Sequence, residues 1–278
     1  MSLRRVLAVH AHPDDESITM GGTLARCVAD GVAVTVVTAT LGEEGEVIGE
    51  ELQGLTAAFA DQLGGYRYTE LRAACAALGI TDHRFLGGVG AFRDSGMIGT
   101  PSADHPRAFL RARSGGPDHE QAVRALVEVI EQVQPDVLLT YDADGGYGHP
   151  DHIATHEVAV AAAAGRVPRV LAAVRSAGAA QAALSRLAVP AGYRPATPAD
   201  MGYLADAGDV AVTIDVRGVD GHRRSALAAH ATQIEVLPGG FALSNRIAQP
   251  LTDVECFKLL SGAPLPPAAT DLFAGLDS

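Results

Sequence analysis

Short apolar runs rich in valine and threonine alternate along the chain with longer stretches of helical periodicity. Val6–His10 reads as a first strand and Ala33–Thr40 (AVTVVTAT) as a second. Arg84–Leu86, Asp136–Tyr141 and Val170–Val174 follow as a third, fourth and fifth. Helical stretches lie between them near 18–30, 52–78, 118–134 and 151–164. Between His119 and Val133, the residues Val123, Leu126, Val127 and Ile130 recur at three- and four-residue spacing. Nearly continuous apolar strands separated by helices imply a parallel sheet covered on both sides. The expected fold is a doubly wound α/β sheet, mostly parallel, with helices on both faces. Such sheets bind ligands outside the carboxyl ends of their strands.

Polar residues gather at those ends. HAHPDDE follows the first strand, LGEEGE the second and DADGGYGHPDH the fourth, so three loops converge on one edge. The loop 87–117 is too long for a plain connector and reads as a lid or specificity loop. Residues 165–208, rich in alanine, proline and arginine, carry the least information. A further strand at Asp209–Val216 and a helix at Asp220–Gln233 extend the fold to near Leu260. No repeat or linker interrupts the chain, so one domain over 1–278 is expected.

Charge narrows the function. Of the 278 residues, 21 are Lys or Arg and 33 are Asp or Glu, a net −12 with histidine neutral. That balance disfavours a nucleic-acid partner, which needs cations on phosphates, and docking on an anionic membrane surface. A hydrophobic content of 47% with 19% charged residues is that of a globular chain. Cys27, Cys75 and Cys256 form no CxxC pair, which fits a reducing compartment. The apolar run Val6–Ala11 is short for a signal peptide. No apolar run reaches the roughly 18 residues of a membrane span. A cytoplasmic location is expected.

Two motifs carry the chemistry. HPDD (His12–Asp15) puts an imidazole and two adjacent carboxylates directly after a strand. HPDH (His149–His152) puts two imidazoles and a carboxylate in a loop entering a helix. Each proline restricts its own φ and disfavours helical geometry just before it, holding its neighbours in a fixed fan. Alone, either motif also reads as a turn whose aspartate caps the next helix. Together, each after a strand of one sheet, they point to a divalent metal site. Two histidines and a carboxylate are the smallest set that holds such an ion and leaves positions open. Of the paired carboxylates, one can ligate while the other takes a proton from the attacking water.

Other readings have less support. His152 and His156 are four apart on one helix face, a spacing that also suits metal, but no Glu follows His152 as in HExxH. His156 is read as packing or orienting a neighbour, and His10 as a satisfied core histidine. His83, His105, His119 and His222 lack context. Neither GxSxG nor a GxGxxG after the first strand occurs, so serine hydrolase and dinucleotide sites lack their main signs. Two histidines and a carboxylate also suit a non-heme iron oxygenase, but such enzymes usually sit on other folds and the extra carboxylate Asp14 fits hydrolysis better.

VHAHPDDES (Val9–Ser17), TLGEEGEVIG (Thr40–Gly49), DQLGGYR (Asp61–Arg67), FRDSGM (Phe92–Met97), TYDADGGYGHPDH (Thr140–His152) and LAAHATQ (Leu227–Gln233) together resemble the LmbE/PIG-L family of metal-dependent sugar N-deacetylases. The resemblance covers most of the chain except Gly165 to about Val210. It runs closest to the branch that deacetylates N-acetylglucosaminyl-inositol in mycothiol biosynthesis. A sister branch of mycothiol S-conjugate amidases shares much of the pattern.

The resemblance implies a Rossmann-like sheet and a small amino-sugar substrate. It also implies one divalent metal per chain, Zn2+ with Fe2+ as the alternative, held by His12, Asp15 and His152. Asp14 is then the general base, Tyr147 an oxyanion stabiliser, and His149 a charged stabiliser or general acid oriented by Asp151. Arg67 and Asp94 match positions that hold sugar or inositol hydroxyls, and Glu46 and Met97 border that pocket. A sugar-binding module without chemistry is the least favoured reading, because every catalytic position of the pattern is filled.

Overall fold

The computed structural model describes residues 3–276. Strands and helices alternate through its first part: β1 (Arg5–His10), α1 (Asp15–Ala29), β2 (Ala33–Thr38), α2 (Leu63–Ala77), β3 (Asp82–Phe85), α3 (His119–Val133), β4 (Val137–Thr140), α4 (Pro150–Ala163) and β5 (Arg169–Ser176). Beyond β5 the elements shorten to α5 (Ala177–Leu184), β6 (Arg194–Pro195), β7 (Leu204–Ala205), β8 (Val212–Asp215), α6 (Asp220–Ala229), β9 (Glu235–Leu237), β10 (Gly240–Ala242) and β11 (Ile247–Pro250). The long β12 (Val254–Gly262) comes last.

The main sheet runs in the order β3-β2-β1-β4-β5-β12-β8, with β7 paired to β5. From β3 to β5 every pairing is parallel, whereas β12 lies antiparallel to both β5 and β8. Side chains alternate between faces along each strand. Val6 and Ala8 of β1 join a core under α1, α2 and α6, while Leu7 and Val9 join one under α3 and α4. Burial on both faces is why these strands read as unbroken apolar runs. The strand order reverses between β1 and β4, and the chain leaves both strands at the same edge. The crevice opened by such a reversal is where α/β sheets hold ligands.

Several boundaries differ from expectation for identifiable reasons. The helix expected over 52–78 begins only at Leu63, because Gln53–Leu55 forms a 3-10 turn and Asp61 is left-handed at φ 52°. The helix expected to reach Gln233 stops at Ala229, since the Thr232 N–H donates to the Glu70 carboxylate at 2.8 Å instead of to a helix carbonyl. β12 escapes sequence reading because its apolar run contains Glu255. That carboxylate is buried and accepts the Gly22 and Thr23 N–H groups of α1 at 3.0 and 2.6 Å. A second small sheet, β6-β11-β10-β9, was not anticipated. The loop 87–117 is tied to the core by Phe92 and Phe109, whose rings meet at 5.1 Å, and it walls the crevice.

Candidate active site

The loops after β1 and β4 face each other across the reversal. His12 Nδ1 lies 3.2 Å from His152 Nε2 and 3.5 Å from Asp15 Oδ2, and His152 Nε2 lies 3.4 Å from Asp15 Oδ1. Two donors of a tetrahedral ion, each bonded at 2.0–2.1 Å, stand about 3.3 Å apart. Each edge of this triangle is close to that length, with the two carboxylate oxygens of Asp15 divided between the two imidazoles, so a divalent ion would be approached by both histidines and by either oxygen of Asp15. Two looser groupings, His12–His149–His152 and His12–Asp94–Asp151, bring donor atoms within 4.8 Å of one another.

The residues around the triangle define each donor. The Nδ1–H of His152 is shared between the Gly145 carbonyl at 3.1 Å and the Tyr203 hydroxyl at 3.0 Å, which leaves Nε2 with a free lone pair. The ring of Tyr141 stacks on His152 with centroids 4.3 Å apart. Its hydroxyl donates to Asp15 Oδ2 at 2.7 Å and accepts the Ala11 N–H at 2.9 Å. The Nε2 of His12 faces Asp151 Oδ2 at 3.3 Å and Asp94 Oδ1 at 3.4 Å, so its far side carries the carboxylates common behind metal-binding imidazoles.

Electrostatics supports a cation here. Burial disfavours charge on His12, yet Asp94, Asp15 and Asp151 outweigh it and raise its pKa well above the usual range, so the surroundings favour positive charge at this ring, which a bound cation can supply in place of the proton. Burial also opposes charge on Asp15, but His152 and His12 hold its carboxyl well below the carboxylate range. Burial pushes His152 down to about 4, which keeps it neutral, as a ligand must be. Three buried carboxylates on one imidazole form a donor set that a divalent ion fits.

Asp14 is set apart from its neighbour by backbone conformation. Its φ of 118° and ψ of −28° are rare for a non-glycine residue, and they open α1. While Asp15 turns inward, the Asp14 carboxylate faces the cavity and pairs with Arg67 Nη2 at 3.1 Å. Burial pushes its carboxyl up to about 7, although Arg67 pulls the other way.

The remaining expected residues also converge. Arg67, Asp94, Glu46, Met97, Tyr147 and His149 all line the same cavity of about 530 Å³. Arg67 is buried and already engaged. It donates to the Gly42 carbonyl at 2.7 Å and to the Pro13 carbonyl, as well as to Asp14. Asp94 accepts the Gly96 N–H at 2.8 Å in addition to facing His12. Glu46 accepts from Ser244 at 2.6 Å. Tyr147 stands at the mouth, 56% exposed, with its hydroxyl 3.5 Å from His152 Nε2.

Two assignments change. The Asp151 carboxylate does not orient His149; it faces His12 and accepts the Ser95 N–H at 2.9 Å. Asp151 holds His149 through its main chain, whose N–H donates to Nδ1 at 3.2 Å. That bond makes Nδ1 the acceptor and leaves the proton on Nε2. Burial and the nearby His12 push His149 down to about 4, which favours the neutral ring. His10 is fully buried, but neither ring nitrogen has a hydrogen-bond partner among the described residues, so it is a core histidine without the expected satisfaction. His156 does orient a neighbour, as Nδ1–H donates to the Tyr141 carbonyl at 2.8 Å.

Sequence reasoning gave no role to Tyr141, Tyr203, Gln233 or Arg175. Tyr203 and Arg175 come from the stretch without recognisable motifs, and tertiary contact alone brings them to the cavity. Tyr141 lies within TYDADGGYGHPDH and Gln233 within LAAHATQ, and that membership is the signal the sequence offers for them.

Residues 7–163 match the family described as PIG-L: GlcNAc-PI de-N-acetylase. A protein of Nakamurella multipartita named 1D-myo-inositol 2-acetamido-2-deoxy-alpha-D-glucopyranoside deacetylase is 61% identical, over 98% of this chain and 96% of its own length. One of the same name from Rhodococcus erythropolis is 48% identical, over 100% and 99%. Among solved structures, the N,N'-diacetylchitobiose deacetylase of Pyrococcus horikoshii shares the fold at a TM-score of 0.53 and 19% identity, over 82% of this chain and 69% of its own. With this family match across the HPDD and HPDH loops, and relatives similar over nearly its full length, the chain belongs to the PIG-L family of N-deacetylases.

Proposed function

We propose that the protein hydrolyses the N-acetyl group of N-acetylglucosaminyl-inositol, giving acetate and glucosaminyl-inositol for mycothiol biosynthesis. The observation that carries this reading is the divergence of two adjacent carboxylates. Asp15 closes the triangle with His12 and His152, while Asp14 faces the cavity on Arg67. High identity to the two named deacetylases supports the substrate.

His12, Asp15 and His152 would hold one divalent metal, Zn2+ by preference and Fe2+ as the alternative. When bound, such an ion polarises the acetyl carbonyl and makes water acidic enough to attack near neutral pH. Asp14 takes the proton of the attacking water, a role suited to a carboxyl near 7. Tyr147 and the Nε2–H of His149 donate to the oxygen that gains charge as the carbonyl becomes tetrahedral. Asp14 then returns its proton to the departing nitrogen, so one water is consumed and acetate and a free amine leave.

Glu46, Asp94 and Met97 form one wall for the sugar. Arg175, Gln249 and Asn245 form the wall for the inositol half. Arg175 Nη1 donates to Gln249 Oε1 at 2.9 Å. Burial brings Arg175 down to about 10, which leaves it charged and able to donate to ring hydroxyls.

We read the chain as one Rossmann-like, doubly wound domain, which the order β3-β2-β1-β4-β5 and the apolar cores on both faces support. No helix among the described residues is long and apolar enough to cross a membrane, and the three cysteines are unpaired; both fit a cytoplasmic enzyme. The test is release of acetate and amine from N-acetylglucosaminyl-inositol by metal-free, zinc-loaded and iron-loaded protein. Metal-dependent release is expected. Silence with every metal, together with cleavage of a mycothiol S-conjugate, would transfer the chain to the amidase branch.

A further inference from the structure

The motif LAAHATQ is not used by the chemistry above, yet the structure brings its histidine to the back of the HPDD turn. His230 Nε2 lies 2.8 Å from Glu16 Oε1, across 214 residues of sequence, and both side chains are completely buried. The other oxygen of the same carboxylate, Glu16 Oε2, accepts the main-chain N–H of Asp14 at 3.0 Å. The Ser17 hydroxyl also donates to Oε1, at 2.5 Å.

We infer that His230 is a positioning residue for Asp14, acting through Glu16 to hold the Asp14 peptide in the conformation that separates its carboxylate from that of Asp15. The inference rests on the reading of Asp14 as the base. The Asp14 backbone lies in a region that non-glycine residues seldom occupy, and such conformations persist only where the surroundings over-determine them. Two groups provide that here. Arg67 grips the Pro13 carbonyl and the Asp14 carboxylate from the cavity side, and Glu16 grips the Asp14 N–H from behind.

A glutamate that reaches back to the first N–H of its own helix is a common capping contact, and capping alone needs no histidine. In this site, however, Glu16 is completely buried, away from bulk solvent. Its oxygens depend on three donors, namely Asp14 N–H, the Ser17 hydroxyl and His230. Without His230 the carboxylate would be free to swing toward Ser17 and release Asp14. His230 is itself firmly placed. Thr232 donates twice to Glu70 of α2, and its carbonyl accepts the Ile48 N–H at 2.8 Å. The same segment presents Gln233 to the cavity beside Gly45 and Arg67.

The experiment uses the full-length, zinc-loaded protein and its His230→Ala and His230→Gln variants. Glutamine carries an N–H close to where the imidazole Nε2–H lies, so it can restore the bond to Glu16 without the ring. In His230→Ala, kcat on N-acetylglucosaminyl-inositol should fall about 10²-fold, the usual cost of displacing a reacting group by about 1 Å. KM and zinc content should stay within about twofold. Amide hydrogen exchange at Asp14 should accelerate at least about tenfold as its bond to Glu16 is lost. His230→Gln should recover most of the rate and of the protection.

Unchanged kcat and unchanged Asp14 exchange in His230→Ala would overturn the inference. So would a folded His230→Gln as damaged as the alanine variant. If alanine prevents folding, the glutamine variant decides alone. If the unaltered enzyme does not act on the substrate, the proposed function falls, while exchange at Asp14 still decides the role of His230.

Discussion

The hydroxyl of Tyr141 bridges the two strands that flank the reversal: it accepts the Ala11 N–H at the end of β1 and donates to Asp15 Oδ2 at 2.7 Å. Replacing it with phenylalanine removes the donor that aims one proposed metal ligand and leaves the other partner unpaired. Metal affinity in Tyr141→Phe should drop about 10–100-fold, as for other residues that support ligands. The orphaned Ala11 N–H should cost about 1–3 kcal/mol. Titration against a calibrated chelator measures the first effect, and unchanged affinity would remove Tyr141 from the metal's support.

Asp14 and His12 should separate catalysis from metal binding. Asp14→Asn should retain stoichiometric metal and lose about 10²–10⁴-fold in kcat, the range for a lost proton acceptor. His12→Ala should lose metal and activity together. Metal analysis beside steady-state kinetics checks both, and near-normal turnover in Asp14→Asn would rule it out as the base.

Arg175 should matter for the far half of the substrate alone. A hydrogen bond from a charged group is worth about 1.5–3 kcal/mol, so KM of Arg175→Met for N-acetylglucosaminyl-inositol should rise about 10–100-fold. KM for N-acetylglucosamine should change little. Equal losses on both substrates would indicate a general packing defect.

Gly146 should tolerate no side chain. Its φ is 81°, and a Cβ there would lie 2.1 Å from the ring of Tyr203, which accepts from His152. Gly146→Ala should lose at least about 1–3 kcal/mol through overpacking. At about 2–4 °C per kcal/mol for a chain near this size, thermal unfolding will register that loss. Tyr203→Ala in the same chain should relieve part of it, and additive losses in the double variant would mean that the two residues do not touch.

The His230–Glu16 pair gives stability a defined pH dependence. Burial alone would lower His230, but Glu16 reverses that and raises it above 6.5, with Asp14 assisting and Arg67 opposing. A raised histidine contributes its full stabilisation below 6.5 and loses it as pH climbs through the higher folded value. Glu16, although buried, is drawn from 4.5 down to about 2 by His230 and contributes above 4.5, losing that as pH falls toward 2. The difference in Tm between the unaltered protein and His230→Gln should be greatest between 4.5 and 6.5 and shrink on either side. A difference that kept the same size from well below 4.5 to well above 6.5 would show that the pair is not ionised.

The parallel half of the fold and the metal motifs were legible because their signals are local. A strand buried on both faces must be apolar at every position, so Val6–His10 and Val137–Thr140 declare themselves. HPDD and HPDH keep their ligands within four residues, in turns whose prolines restrict the backbone. Sequence also determined that two histidines and two carboxylates would meet at one sheet edge. Tertiary structure alone decided the rest. Asp151 faces His12 across 139 residues, Tyr203 meets His152 across 51, and His230 meets Glu16 across 214. Which polar group answers which is set by loop closure and by the demand that every buried charge find a partner, and neither leaves a periodic trace in the chain.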